Sequence, residues 1–357
     1  MTDDTLKKAE RLRNKSEYKK ALSLYKRALK RYLVLGDFER VLECKIGLGH
    51  TLRLVGDFEA SSYFYADAAS LAKDLEDKLS ETDSIMGLGL ARRGLGDWKS
   101  AIKYIKSAMK VYERQDDKEA AAFALWAYAG SLRIKGDIPG AIASYKDAHK
   151  SYTSLKDRKS IGFCLTGLGG ATRIMGDYKA SLNYYTEANI LFKKIRDTFG
   201  LAYSYCGIGN ALRMTGDYEG AERNFKKALT LYARIGDIVS SAYTLWSMGS
   251  TYLMLNDLGK AKEFYKKAEA FFRKTKDPRG IIYANIGYAQ IYFMRKKKDP
   301  AVKILESSIK DSVKWGFSVE GCHAKTVLSY IKGLKPADCH NKLGLRHIGA
   351  SVPFNIP

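Results

Sequence analysis

Six arginines, Arg13, Arg53, Arg93, Arg133, Arg173 and Arg213, recur every 40 residues, each three residues before a turn. Leu253 and Phe293 hold the same column in the next two repeats. A guanidinium is a planar fork that pairs with carboxylate or phosphate and stacks on aromatic rings. Packing its stem against a neighbouring helix would not require arginine, because lysine serves equally well. This lysine-rich chain nevertheless uses no lysine in those six places. Two readings stay open: a ladder that recognises an acidic ligand, or local packing and salt bridges between repeats.

Other columns surround the ladder. Ten residues before the turn stand Trp126 and Trp246, and thirteen before it Phe123, Phe163, Tyr203 and Tyr243. Large aromatics among small residues and arginine are the composition of an interface hot spot. The alternative is that the rings only fill gaps between helices. Catalytic chemistry is thin. The five histidines share no column, and no Ser/His/Asp or paired-carboxylate arrangement falls in these stripes. Recurrent glycines such as Gly47, Gly87, Gly167 and Gly207 follow no strand, so they form no phosphate loop. Close packing of neighbouring first helices is their expected role. Cys322-His323 and Cys339-His340 lack the spacing of zinc ligand pairs. The chain is therefore expected to be non-enzymatic, without cofactor, metal or small-molecule substrate.

The elements that must carry these columns follow from the period. Gly56-Asp57, Gly96-Asp97, Gly136-Asp137, Gly176-Asp177 and Gly216-Asp217 mark one turn in constant register. Past each turn come a small, a bulky and a small residue at steps of four and three, as in Ala221, Phe225 and Ala228, which is one face of a helix. Midway, Asp37, Asp77, Asp117, Asp157, Asp197, Asp237 and Asp277 are placed to cap a second helix. Two helices per 40 residues, eight times over, predict an all-α solenoid. In the first helix the columns three, six, ten and thirteen before the turn fall within about 80° of one another, away from the apolar stripe.

The stretch "IGNALRMTGDYEGAERNFKKALTLY" resembles the tetratricopeptide repeat: Ile208-Gly209 in the first helix, Gly216-Asp217-Tyr218 at the turn, Ala221, Phe225 and Ala228 in the second. The common repeat has about 34 residues. The 40-residue version is similar to the repeat domains of LGN/Pins scaffolds and kinesin light chains. The resemblance implies a right-handed superhelix whose first helices line a concave groove, so that the arginine stripe faces a ligand. It also implies that Asn210, six before its turn, could clamp a peptide backbone through its amide. The short regulatory motifs that follow the repeats in LGN/Pins proteins have no counterpart here.

The net charge of +22 points to acidic partners or nucleic acid. The second-helix lysines supply much of it. A basic surface without a base-reading module gives only salt-sensitive, nonspecific affinity. The leading expectation is thus a scaffold or adaptor that binds an extended acidic segment of a partner protein. A nucleic-acid or phosphate-binding solenoid and a peptide-sensing regulator are the alternatives. No apolar run approaches the roughly 20 residues that span a bilayer, and the amino end is charged where a secretory leader is apolar. A cytoplasmic location and reduced thiols are expected, since five cysteines are an odd number lying mostly in helical patterns. The expected division is a repeat solenoid over 1–317, a capping helix over 318–334 and a non-repeat tail over 335–357. The tail carries Leu345, Ile348, Val352, Phe354 and Ile356. It should pack on the protein, on the capping helix ahead of the groove at Leu253 and Phe293.

Overall fold

The computed structural model describes residues 4–335, 338–346 and 354–357. The first repeats are built from α1 (Asp4–Asn14) and α2 (Tyr18–Leu35), α3 (Phe38–Leu54) and α4 (Phe58–Asp74), and α5 (Lys78–Gly94) and α6 (Trp98–Arg114). Then come α7 (Lys118–Lys135) and α8 (Ile138–Ser154), α9 (Arg158–Met175) and α10 (Tyr178–Ile195), and α11 (Thr198–Met214) and α12 (Tyr218–Ile235). The last are α13 (Ile238–Met254) and α14 (Leu258–Lys274), α15 (Pro278–Met294) and α16 (Lys298–Trp315), α17 (Ser318–Lys332) and the single turn α18 (Cys339–Lys342). The fold is an all-α helical-repeat solenoid.

These helices form two compact units. One comprises residues up to Ala127 together with Arg234–Ile238; the other comprises Tyr128–Ala233 and Val239 onward. Within each unit the helices pack on their neighbours in sequence, α3 on α2 and α4, α9 on α8 and α10, α16 on α15 and α17. First helices also touch the next first helix, as α3 does α5 and α9 does α11.

Local chemistry sets the helix ends. Asp57, Asp97, Asp137, Asp177, Asp217 and Asp257 accept from the backbone N–H three residues on, as do the mid-repeat Asp37, Asp77, Asp157, Asp197 and Asp277. The residue before each of these caps sits in the left-handed region, from Gly176 at φ 98° to Lys276 at 52°. At the first turn that residue is mostly glycine, which adopts this conformation without a Cβ penalty.

The recurrent helical glycines have a different explanation from the expected one. Their nearest neighbours are rings of the second helices, for which they make room. A Cβ on Gly47, Gly87, Gly167, Gly207 or Gly287 would lie 2.0–2.5 Å from Tyr25, Tyr65, Tyr145, Tyr185 or Tyr265 of the preceding repeat. Gly49, Gly169 and Gly249 close on Tyr65, Tyr185 and Tyr265 from within their own repeat at 2.7–2.9 Å. Three of these rings are therefore held between two glycines. Where the position of the tyrosine is held by Ile105 or Phe225, the position in register with the following-repeat glycine is Ala127 or Ser247.

Candidate protein-binding groove

In the first unit the arginines are half-buried and partly engaged. Arg13 meets Glu10 at 3.3 Å. Arg93 donates to the Ala127 carbonyl at 3.1 Å and lies over Trp126, 5.5 Å from the ring centre. That contact joins one repeat to the next, which is the packing reading for this arginine. Phe123 stacks on the same indole at 5.8 Å. Arg53 is half-buried, and its Nε is enclosed without a hydrogen bond.

The second unit differs. Arg133 and Arg173 are half-buried and face no carboxylate within ion-pair distance among the described residues. Nε of Arg133, and both Nε and Nη1 of Arg173, are enclosed without a hydrogen-bond partner there. Arg213 is fully buried. Burial, with the Arg173 charge adding to it, pulls the Arg213 guanidinium down to about 10, so it remains a cation at neutral pH. Arg279, which follows no periodic column, is a fourth cation. Its Nε meets Glu320 of α17 at 2.5 Å, and the guanidinium lies over Tyr243 and Tyr283.

Several aromatics of these columns make contacts within the second unit. Trp246 is buried and donates to the Tyr283 carbonyl at 3.0 Å. Phe163 sits against Phe192 and Phe199, and Tyr203 stacks on Phe199. The Tyr243 hydroxyl donates to Asp277 at 2.6 Å. Asn210 uses its amide within the unit: Nδ2 donates to the Cys206 carbonyl at 3.1 Å, and Oδ1 accepts from Ser247 at 2.9 Å. A backbone clamp would require Asn210 to exchange those partners.

The tail departs from its expected place. Phe354 does touch the last long helix, 5.3 Å from Tyr330, but it also meets Phe293, and its carbonyl accepts from Gln290 at 3.1 Å. Arg213 donates through Nη1 to the Asn355 side-chain oxygen and through Nη2 to the Ile356 carbonyl at 2.8 Å. Asn355 Nδ2 returns a bond to the Arg213 carbonyl at 3.1 Å. Upstream, Arg346 N–H donates to the Met175 carbonyl at 2.7 Å, and its side chain approaches Asp177 at 3.5 Å. The segment Phe354–Ile356 thus reaches Arg213 as well as α17, while Ile348 and Val352 lie outside the described residues.

Cysteine chemistry also corrects the sequence reading. Cys322 and Cys339 are joined in a disulfide, their Cα atoms 5.7 Å apart. The expectation of reduced thiols fails for this pair because the chain folds α18 back onto α17. His340 lies within 4.8 Å of both sulfurs, but the sulfurs are bonded to each other and offer no thiolate to a metal. His323 beside them is buried, and both ring nitrogens lack hydrogen-bond partners among the described residues. Burial, with His340, Arg173 and Arg279 adding to it, takes its pKa down to about 3. Sequence reasoning missed Arg279 and Asn355, neither of which belongs to a repeat column.

The repeat geometry and the family comparison agree. Tetratricopeptide-repeat models match residues 86–154, 163–234 and 200–274, and the chain belongs to the tetratricopeptide-repeat family. Among solved structures it is similar to a Rap protein complexed with competence and sporulation factor, at 16% identity and TM-score 0.62, over 92% of this chain and 96% of that one. It is also similar to the Rap conjugation gene regulator of plasmid pLS20 in complex with the Phr* peptide, at 14% and 0.66, over 78% and 75%. The apo quorum sensor NprR from B. thuringiensis aligns at 14% and 0.55, over 86% of each chain. At such identities the likeness establishes the fold. No curated protein sequence matches significantly. Among the described residues no helix is long and apolar enough to cross a membrane.

Proposed function

We propose that this chain is a non-catalytic protein-binding member of its family, a scaffold or regulator whose groove takes an extended, carboxylate-bearing segment of a partner polypeptide. The observation that carries the reading is the state of Arg133 and Arg173. Both are partly exposed cations that face no carboxylate within ion-pair distance among the described residues. A bound carboxylate would pair with the part of each guanidinium that remains accessible, in the fork geometry that arginine favours. Two of the similar structures hold peptides, competence and sporulation factor and Phr*, which supports a polypeptide over a nucleic acid as occupant.

Selection from a random peptide display library tests the proposal. Sequences retained by the wild-type chain should be enriched in Asp and Glu, and the enrichment should vanish on a chain carrying Arg133→Met and Arg173→Met. Retention of the same peptides by both chains would refute it. Displacement of the selected peptides by a single-stranded oligonucleotide, with a steep salt dependence, would instead favour the nucleic-acid alternative.

A further inference from the structure

We propose that residues 354–357, Phe-Asn-Ile-Pro, are a built-in occupant of the partner site that an incoming segment must displace, and that the site around Arg213 reads an extended aromatic–carboxamide–aliphatic sequence. The inference rests on the groove reading above and adds what this part of the groove recognises and how access to it is controlled.

Four features carry it. First, the contacts are of a kind that any extended peptide can supply. Gln290 and Arg213 donate to the backbone carbonyls of Phe354 and Ile356 at 3.1 and 2.8 Å. Main-chain bonds of this sort give affinity, while side chains in neighbouring pockets give selectivity. Second, the selective element is a carboxamide. Asn355 accepts from Arg213 Nη1 and donates from Nδ2 to the Arg213 carbonyl. Only a group that is both acceptor and donor meets the two ends of that residue; a hydroxyl is too short and a carboxylate has no donor.

Third, the apolar positions are seated. Phe354 lies edge-on to Phe293 and Tyr330, 5.9 and 5.3 Å between ring centres, and Ile356 is buried. Fourth, the segment covers what the repeats leave unfinished. Arg213 has no carboxylate partner among the described residues, and its guanidinium is held by neutral oxygens of the tail. A cation removed from water needs such acceptors. The occupant is covalently attached, so it competes at a high effective concentration without needing high intrinsic affinity. Arg346 on Met175 and the Cys322–Cys339 bond hold nearby parts of the same tail.

The experiment uses the full chain and a chain lacking residues 354–357, with a labelled Phe-Asn-Ile-Pro peptide as probe and helicity checked by circular dichroism. The shortened chain should bind the peptide at least tenfold more tightly than the full chain. Replacing the peptide's Asn with Ala, or Arg213 with Met in the shortened chain, should abolish the difference. Equal binding to both chains, or none to a helical shortened chain, overturns the proposal. Should the deletion unfold the protein, the full-length Phe354→Ala, Asn355→Ala double variant serves in its place with the same expected tenfold gain. Carboxylate-rich peptides that bind full and shortened chains equally would sink the occupant while leaving the groove reading intact. Binding of Phe-Asn-Ile-Pro without selection of any acidic peptide would do the reverse.

Discussion

Replacing Gly207 with Ala should destabilise α10 and α11 by about 2 kcal/mol, although alanine is the better helix former. A Cβ at Gly207 would stand 2.0 Å from Cε1 of Tyr185, about half an ordinary carbon–carbon contact distance. The ring cannot retreat freely, because the corresponding Cβ position at Gly169 is only 2.8 Å from its other side. Overpacking of this kind costs about 1–3 kcal/mol, and the upper end applies to a ring held on both sides. The gain in helix propensity returns about 1 kcal/mol. Gly259→Ala is the control: its Cβ would meet only Asp257 Oδ1 at 3.5 Å, so it should be neutral or stabilising by up to about 1 kcal/mol. The chain supplies a rescue. Ile105 and Ala127 stand in the register that Tyr185 and Gly207 occupy two repeats later. Tyr185→Ile alone should cost about 2–3 kcal/mol, yet with Gly207→Ala the pair should be at least about 1 kcal/mol better than additive. Native-state hydrogen exchange of the α10 and α11 amides reads the local opening free energy, which suits a fold whose repeats open in parts. Strict additivity, or a Gly207→Ala variant as stable as the parent, would refute the ring-and-glycine account.

Two further outcomes follow from the carboxyl-terminal half. Reducing the Cys322–Cys339 bond, or Cys339→Ser, should lower stability by about 3 kcal/mol, from release of a 17-residue separation; a melting temperature indifferent to reductant would contradict this. His323 is held neutral, with its pKa at about 3 against 6.5 ordinarily, so between those values the unfolded chain binds the extra proton. Stability should therefore rise with pH through that window, by about 1.4 kcal/mol per unit from this group, and be lost as pH falls below 6.5. Urea midpoints at several pH values in that window should show the slope, and His323→Gln should reduce it, leaving the share of His50, whose burial likewise takes its pKa down to about 3.

The repeat, its helices and its caps were legible because their determinants are local. A left-handed residue followed by Asp recurs in most copies, with Ser16-Glu17 and Lys296-Lys297 at the two ends departing from it, and the 40-residue register multiplies a weak signal. The glycines were half legible. Their periodicity announced close packing, but the partner rings lie in another helix, and only contacts such as Tyr185 against Gly207 show which surface they serve. The site was the least legible. Arg133, Arg173 and Arg213 share one column, yet Arg213 is buried by Asn355 and Ile356, more than 140 residues away, and no periodicity couples them. The disulfide and the Arg279–Glu320 pair were hidden for the same reason, since each depends on how chain beyond the last repeat folds back. The aromatic columns were legible as positions, but their partners were not: Trp246 packs on Tyr283 and Phe163 on Phe192 and Phe199, rings that no shared column couples to them.

The central claim is that Arg133 and Arg173 receive a carboxylate-bearing segment. The direct test is the calorimetric affinity of one selected acidic peptide for the parent chain and for Arg173→Met, at equal helicity. The account predicts a loss of about 10- to 150-fold, from about 1.5–3 kcal/mol for a charge-assisted contact, and a smaller loss for the same peptide with its acids replaced by amides. Unchanged affinity on removing Arg173 would contradict it.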